Sequence, residues 1–307
     1  MRSLEIFAPA KINLSLNVLS KRDDGYHEIS SVMQAIELFD KVSVNVQAND
    51  IANEIIIKTD NSQLTVGPDN IAYKAANLML DRFAPFSFQT ITIEIEKRIP
   101  MAAGLAGGSS DGAAVMLALA ELWGATVSLS ELALLGSKIG ADVSFCVVAC
   151  AASNKELSFA NDESAKTVAL AEGIGERLTS KQSGKRNRVL LVKPKIEVST
   201  PRVYGLVDAY GSAKSDIALC EAVEKNDEIG IFANMNNDLE KYTTKEYPIV
   251  ADTIEKMKQF CLDARVMMSG SGPTVFAYFS NQLQSEKAYE IAVKLFSDME
   301  VFLVSTC

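Results

Sequence analysis

The stretch PMAAGLAGGSSDGAA, residues 100–114, restricts the fold more than any other part of this chain. Four of its fifteen residues are glycine and five are alanine, so backbones can approach one another closely there. It runs straight into SSDGAAVMLALAELWG (109–124), which has helical spacing and ends on Gly124, a suitable C-cap. Just upstream, TITIEIEKR (90–98) alternates apolar and polar residues as a half-buried strand does. A strand, a glycine turn and a helix in that order suit an anion. Successive N–H groups converge on it, helped by the positive end of the helix dipole. Gly104, Gly107 and Gly108 can take positive φ, and Ser109 and Ser110 add hydroxyls. The Gly-Lys-Ser/Thr ending of the P-loop is missing, so cationic help must come from elsewhere in the chain. Read alone, the same small residues would equally suit tight helix packing.

The chain has 307 residues, 48% of them hydrophobic, which points to two domains rather than one. A net charge of −9 argues against nucleic acid or an anionic membrane as partner, but not against an anionic small molecule. Five cysteines without a CxxC pair read as reduced thiols, with Cys146 and Cys150 buried in the apolar run FCVVACAA. With no signal-like start and no apolar run of about 18 residues, the expectation is a cytoplasmic protein, monomer or homodimer. DKVSVNV (40–46) reads as a strand, and NIAYKAANLMLDRF (70–83) and SLSELALLGSKIG (128–140) as helices, the last capped by Ser128. Residues 153–167 are polar and expected to be an exposed insertion. The basic run SKQSGKRNR (180–188) reads as a solvated connector between domains 1–180 and 188–307. After it come a strand (189–194), helices including 247–260, strands at 264–268 and 274–279, a helix near 284–297 and a last strand at 301–306. That order fits a ferredoxin-like sandwich.

Three further features carry chemistry. In PAKINLSLNV (9–18), Lys11 and Asn13 lie on one face of a strand-like apolar run. A buried charge there needs a partner, unless the lysine reaches out to the surface. In IGADVSFCVVAC (139–150), Asp142 stands at the mouth of a buried segment, as a helix cap or as a reactive carboxylate. MMSGSGPTVFAYF (267–279) holds a second glycine turn between strands.

Together, these four features in this order resemble the GHMP kinase superfamily, which includes galactokinase, homoserine kinase and mevalonate kinase. The family's P-x-x-x-G-L-x-G-G-S-S loop matches Pro100–Ser110, and its third motif matches Ser269–Pro273. KRDDGYHEISS (21–31), KPKIEVSTPRVY (193–204) and NDLE (237–240) are similar to the branch acting in non-mevalonate isoprenoid synthesis. The resemblance implies an α+β, two-domain fold. Its N-terminal domain would hold a left-handed β-α-β unit, an exception to the usual handedness, and its C-terminal domain would be a ferredoxin-like α/β sandwich.

The implied activity is ATP-dependent phosphorylation of the 2-hydroxyl of a cytidine-diphospho sugar alcohol, with Mg²⁺ accompanying ATP. Asp142 would be the base and Lys11 the cation beside it. Pro100, Met101, Ala102, Ala103, Gly104, Leu105, Ala106, Gly107, Gly108, Ser109 and Ser110 would cradle the phosphates, with Ser110 a candidate metal ligand. Asn70 and Lys97 would lie near the nucleotide base. Asn13, Tyr26, His27, Thr200, Tyr204, Gly270 and Gly272 would bind the alcohol substrate. In that set His27, the chain's single histidine, reads cytosine, and Tyr26 and Tyr204 stack on it. Three residues depart from the pattern. Ala106 replaces a glycine, which calls for negative φ; Met33 replaces an aromatic near the cytidine; and 153–167 is longer than the family leads one to expect. A kinase of another alcohol lacks a use for DGYH, and a silent ATP-binding sensor would lose the base or the loop. A dinucleotide-binding dehydrogenase fails because the glycine run is not G-x-G-x-x-G.

Overall fold

The structure, a computed structural model, describes residues 2–85, 87–212 and 214–307. In chain order the elements are β1 (Arg2–Asn13), β2 (Ser15–Lys21), β3 (His27–Asn49), β4 (Glu54–Thr59), α1 (Ile71–Phe83), β5 (Phe88–Glu96), α2 (Gly107–Trp123), α3 (Leu129–Gly136) and α4 (Val143–Ser153). There follow β6 (Val168–Gly173), β7 (Arg177–Lys181), β8 (Arg188–Lys193), α5 (Thr200–Gly205), α6 (Lys214–Lys225), α7 (Glu228–Asn234), β9 (Asn236–Asn237) and α8 (Glu240–Glu246). The last are α9 (Pro248–Phe260), β10 (Ala264–Met268), β11 (Val275–Phe279), α10 (Gln282–Leu295) and β12 (Glu300–Ser305). No helix among the described residues is long and apolar enough to cross a membrane.

Two compact units emerge. One comprises the stretches ending at Ala10, Leu38–Ile99 and Ala106–Thr167; the other comprises Lys11–Glu37, Pro100–Leu105 and Val168–Cys307. The long strands β1 and β3 each start in one unit and finish in the other, so a cut at one point of the sequence does not describe the division.

In the first unit β5 pairs in parallel with β4 and antiparallel with the second half of β3. Ile91, Ile93 and Ile95 of β5 are buried while the alternate positions are not, as the sequence pattern requires. The parallel β4–β5 pair, joined through α1, is the unit's β-α-β crossover. Helix α2 is buried without interruption from Ser110 to Ala120. Gly112 lets it close on α1, since a Cβ there would stand 2.7 Å from Ile71 Cγ2. Helix α4 is apolar all round and buried from Val143 to Ala152, which accounts for Cys146 and Cys150 as core residues.

Two expectations need correction here. Helix α3 has the expected Ser128 cap, completed by Glu131 into a capping box, but it stops at Gly136 rather than running to 140. Tight i→i+3 bonds from Lys138 and Ile139 unwind it into a turn that leads to Asp142. The segment 153–167 is not simply exposed. Asn154 is 2% exposed, and its amide accepts from Phe7 N (2.9 Å) and donates to Phe7 O (2.9 Å) and Cys150 O (2.8 Å). Those bonds tie the segment to the backbone of β1, and Leu157, 2% exposed, belongs to the core.

In the second unit β2 and β6 flank the first half of β3, both antiparallel, and the short β9 pairs in parallel with β2 at Ser15 and Leu16. A separate antiparallel sheet runs β10-β11-β8-β12. That order, with helices between β8 and β10 and between β11 and β12, is the expected ferredoxin-like arrangement. Leu190 and Val192 of β8, Val250, Ile254 and Met257 of α9, and Ala288, Ala292 and Phe296 on or after α10 share one apolar core.

Candidate active site

The glycine turn differs in detail from the sequence expectation. Positive φ falls on Ala102 (48°), Gly104 (73°) and Ala106 (58°), not on Gly107 or Gly108. Ala106 therefore does not take the negative φ that its methyl seemed to demand. It is the left-handed N-cap of α2 (φ 58°, ψ 27°), the residue that turns the loop into the helix. A non-glycine residue there costs about 1–2 kcal/mol, a strain met mainly at sites where geometry serves function. Gly107 and Gly108 are the first helical residues. Gly107 has no room for a side chain, because a Cβ would lie 3.0 Å from Ile99 Cγ2 and 3.3 Å from Lys97 Nζ. The first N–H groups of α2 have no intrahelical acceptor, the feature that suits a helix start to an anion.

The first unit also carries Asn70, Lys97, Ser109, Ser110 and Asp142. Asn70 caps α1: its Oδ1 accepts from Ala72 N (2.8 Å) and its Nδ2 donates to Thr65 O (2.6 Å). Both ends of that amide thus serve the fold. The Ser110 hydroxyl, a candidate metal ligand in the sequence, is fully buried and donates to Pro9 O (2.8 Å). Among the described residues no cluster of three or more His, Cys, Asp or Glu could hold a metal ion. Asp142 stands at the N-cap of α4 and makes no side-chain cap bond, so helix capping does not explain it.

Lys97 is deeply committed. Its ammonium pairs with Asp40 and, at 2.7 Å, with Asp111, and the three side chains are 4%, 0% and 2% exposed. Asp40 also accepts from Arg98 N (2.6 Å) and Ile99 N (2.9 Å). Burial works against the lysine's charge, but the two carboxylates outweigh it and raise its proton affinity. Burial pushes Asp111 up to about 7, with Lys97 opposing and Asp40 reinforcing that shift. Asp40 and Asp111 were missed in the sequence, although a carboxylate inside a glycine-alanine helix (SSDG) was a legible signal.

The second unit gathers most of the remaining candidates. Lys11 is 3% and Asn13 1% exposed, on one face of β1 as expected. Lys11 Nζ donates to Asn13 Oδ1 (2.6 Å), Asn13 Nδ2 to Ser31 Oγ (2.8 Å), and Ser31 Oγ to Ser15 O (2.5 Å). Lys11 N bonds Leu105 O (3.1 Å), tying β1 to the end of Pro100–Leu105. At the second glycine turn, Gly270 (φ 58°) and Gly272 (φ 88°) have positive φ. Ser269 Oγ donates to Gly104 O (3.0 Å), and a Cβ on Gly270 would lie 3.5 Å from Asn13 Oδ1. Thr200, opening α5, is 2.7 Å from Ser271 Oγ.

The aromatic group forms around His27. Its ring lies 5.3 Å from that of Tyr204 at an interplanar angle of 32°. The close partner of Tyr204 is thus the histidine, while Tyr26 is 60% exposed at the tip of a turn. That turn is shaped by Gly25 (φ 87°), by Arg22 N bonding Tyr26 O (2.8 Å), and by Arg22 pairing with Asp24 (3.0 Å) and Glu28 (3.1 Å). Burial, then the charge of Lys21, lowers the proton affinity of His27 and keeps the ring neutral near pH 7. Met33 is 2% exposed and belongs to the core.

Models of the GHMP kinases N terminal domain and GHMP kinases C terminal families match residues 70–150 and 219–298. A protein of Geobacillus sp. (strain WCH70) named 4-diphosphocytidyl-2-C-methyl-D-erythritol kinase is 42% identical, over 93% of this chain and 91% of its own. The Acetivibrio thermocellus protein of that name is 40% identical over 100% of both chains. Among solved structures, 4-(cytidine 5'-diphospho)-2C-methyl-D-erythritol kinase superposes with a TM-score of 0.74 at 29% identity, covering 99% of each chain. Homoserine kinase from Cytophaga hutchinsonii shares the fold, with a TM-score of 0.70 at 18% identity over 100% of this chain and 95% of its own. This chain belongs to the 4-diphosphocytidyl-2-C-methyl-D-erythritol kinases, a branch of the GHMP kinase family.

Proposed function

We propose that this chain transfers the γ-phosphoryl group of ATP to the 2-hydroxyl of 4-diphosphocytidyl-2-C-methyl-D-erythritol, a step of the non-mevalonate route to isoprenoid precursors. The observation that carries this reading is identity near 40% over almost the whole chain to proteins of that name. Phosphoryl transfer needs positioning and charge stabilisation more than covalent chemistry. The N–H groups of Gly107, Gly108 and Ser109, at the start of α2, hold the phosphates. Asp142 accepts the proton of the substrate hydroxyl as the oxygen attacks phosphorus. Lys11, held by Asn13 at 2.6 Å, offsets the negative charge on the transferring group. Neutral His27 presents one donor and one acceptor to the edge of cytosine, and Tyr204 braces its ring. Tyr26 covers the base from the exposed side. Mg²⁺, bound together with ATP, would neutralise charge on the phosphates held at the start of α2.

The test is ADP release by the full chain with Mg-ATP and the cytidyl substrate, beside homoserine, mevalonate and galactose, with Asp142→Asn in parallel. Turnover with the cytidyl substrate alone, falling about 10²–10⁴-fold in Asp142→Asn, is expected. Turnover with another alcohol removes the cytosine roles of Tyr26, His27 and Tyr204. Undiminished turnover in Asp142→Asn removes the base.

A further inference from the structure

The tetrapeptide Asn237-Asp238-Leu239-Glu240 has no place in the chemistry above, yet its side chains converge on the strand ends around the second glycine turn. Asn237 Nδ2 donates to Met268 O (2.9 Å) and to Gly270 O (2.8 Å), while its Oδ1 accepts from Leu239 N (2.9 Å). Glu240 Oε2 accepts from Met268 N (2.8 Å). Asp238 reaches the other way: its Oδ2 accepts from Val18 N (2.9 Å), and its own N–H donates to Leu16 O (2.8 Å). The tetrapeptide is therefore a bracket between β2, the strand that continues from Lys11 and Asn13, and the turn Ser269–Pro273.

That turn has little regular structure of its own. Gly270 and Gly272 take left-handed φ, and its internal bond is Gly272 N to Ser269 O (2.9 Å). On its far side it supports two candidate ligand-facing groups. Ser269 Oγ donates to Gly104 O, and Gly270 lies beside Asn13, where a Cβ would stand 3.5 Å from Asn13 Oδ1. Thr243 Oγ1 donates to Ser271 O (3.1 Å) as a second anchor. A Cβ on Gly104 would collide with Ser269 O, so the two backbones are closely packed and a displacement of this turn is felt at the Gly104 carbonyl through Ser269 Oγ.

We propose that Asn237 is a positioning residue for phosphoryl transfer: by donating to Met268 O and Gly270 O, it sets the glycine turn that aligns Gly104 and Asn13. This rests on the kinase reading above and adds to it a group that touches neither substrate. Asn237→Asp is nearly isosteric, keeps the acceptor for Leu239 N, and turns both donated bonds into oxygen facing oxygen.

Wild-type turnover is measured first, which tests the substrate reading on its own. If another alcohol turns over, the variants are compared on that alcohol. In Asn237→Asp, kcat is expected to fall roughly 10–100-fold, with the KM for ATP and for the alcohol changing less than about threefold, because misalignment is felt chiefly in the transition state. Hydrogen exchange at Gly272 N–H should accelerate, and the melting temperature should stay well above the assay temperature. Thr243→Val loosens the same turn from its other side, and a kcat loss of roughly 3–10-fold is expected there, whether or not Asn237→Asp folds. Either variant keeping wild-type kcat while folded overturns the proposal. So does a loss of activity that matches the unfolded fraction, or one that appears wholly in either KM.

Discussion

Replacing Lys97 with methionine keeps most of the side-chain volume and removes the cation from between Asp40 and Asp111, which are 0% and 2% exposed. Breaking a buried ion pair by deleting one partner costs about 3–5 kcal/mol. The two carboxylates will not share that cost equally. Asp40 keeps two backbone N–H donors, whereas Asp111 Oδ1 has no hydrogen-bond partner. Asp111 is thus the group that takes up a proton. In the parent protein it titrates at about 7, above its unfolded value of about 3.9, so its share of stability is full below pH 4 and lost as pH rises through 7. Lys97 opposes that rise. Without Lys97 the native variant holds its proton past pH 7 while the unfolded chain does not. Each further pH unit then costs the variant about 1 kcal/mol after the parent has levelled off. Urea unfolding followed by Trp123, the single tryptophan, at the end of α2, reads this directly. The expected result is destabilisation of about 3–5 kcal/mol at pH 7, growing by about 2–3 kcal/mol at pH 9. A loss below about 1 kcal/mol, or one identical at both pH values, refutes the argument that Asp111 is a buried carboxylate held in place by Lys97.

Three further variants test local geometry. Gly104→Ala puts a methyl group against Ser269 O and 3.0 Å from Gly272 O, at φ 73°; kcat/KM for ATP should fall at least roughly tenfold, a loss of about 1.4 kcal/mol of transition-state stabilisation. Gly124→Ala, at φ 62° with nothing within 4 Å, should cost about 1–2 kcal/mol of stability and no activity. If the two variants behave alike, crowding at Gly104 is not the cause. Tyr204→Ala removes the ring braced on His27; the KM for the cytidyl substrate should rise about 5–100-fold, as loss of one base stack predicts, with the KM for ATP unchanged. An equal rise in both would remove Tyr204 from the cytosine pocket.

Much of the fold was legible because periodicity reports burial. The alternation of β5, the cap at Ser128, the stop at Gly124 and the β8–β12 order all follow from residue spacing. The glycine turn was legible as a loop leading into a helix, but its dihedrals were not. Left-handed φ falls on Ala102 and Ala106 as well as Gly104, whereas the glycine at 107 keeps a Cβ from crowding Ile99. Asn154 could not be distinguished from the polar residues around it, since its partner Phe7 lies 147 positions away.

Residue spacing alone placed the candidate groups on their elements. Lys11 and Asn13 share a face because strand side chains alternate, and Asp142 opens an apolar helix whatever surrounds it. Tertiary structure alone decided what each side chain is occupied with. Lys97 is neutralised by Asp40 and Asp111, 57 and 14 positions away, and the Tyr204 ring lies 5.3 Å from that of His27. Asn237 on β9 reaches Met268 and Gly270, 31 and 33 positions away. The reason is range: dihedral preferences and side-chain periodicity act within a few residues, while pairing, desolvation and hydrogen-bond satisfaction are set by whichever groups the folded chain brings within about 3 Å.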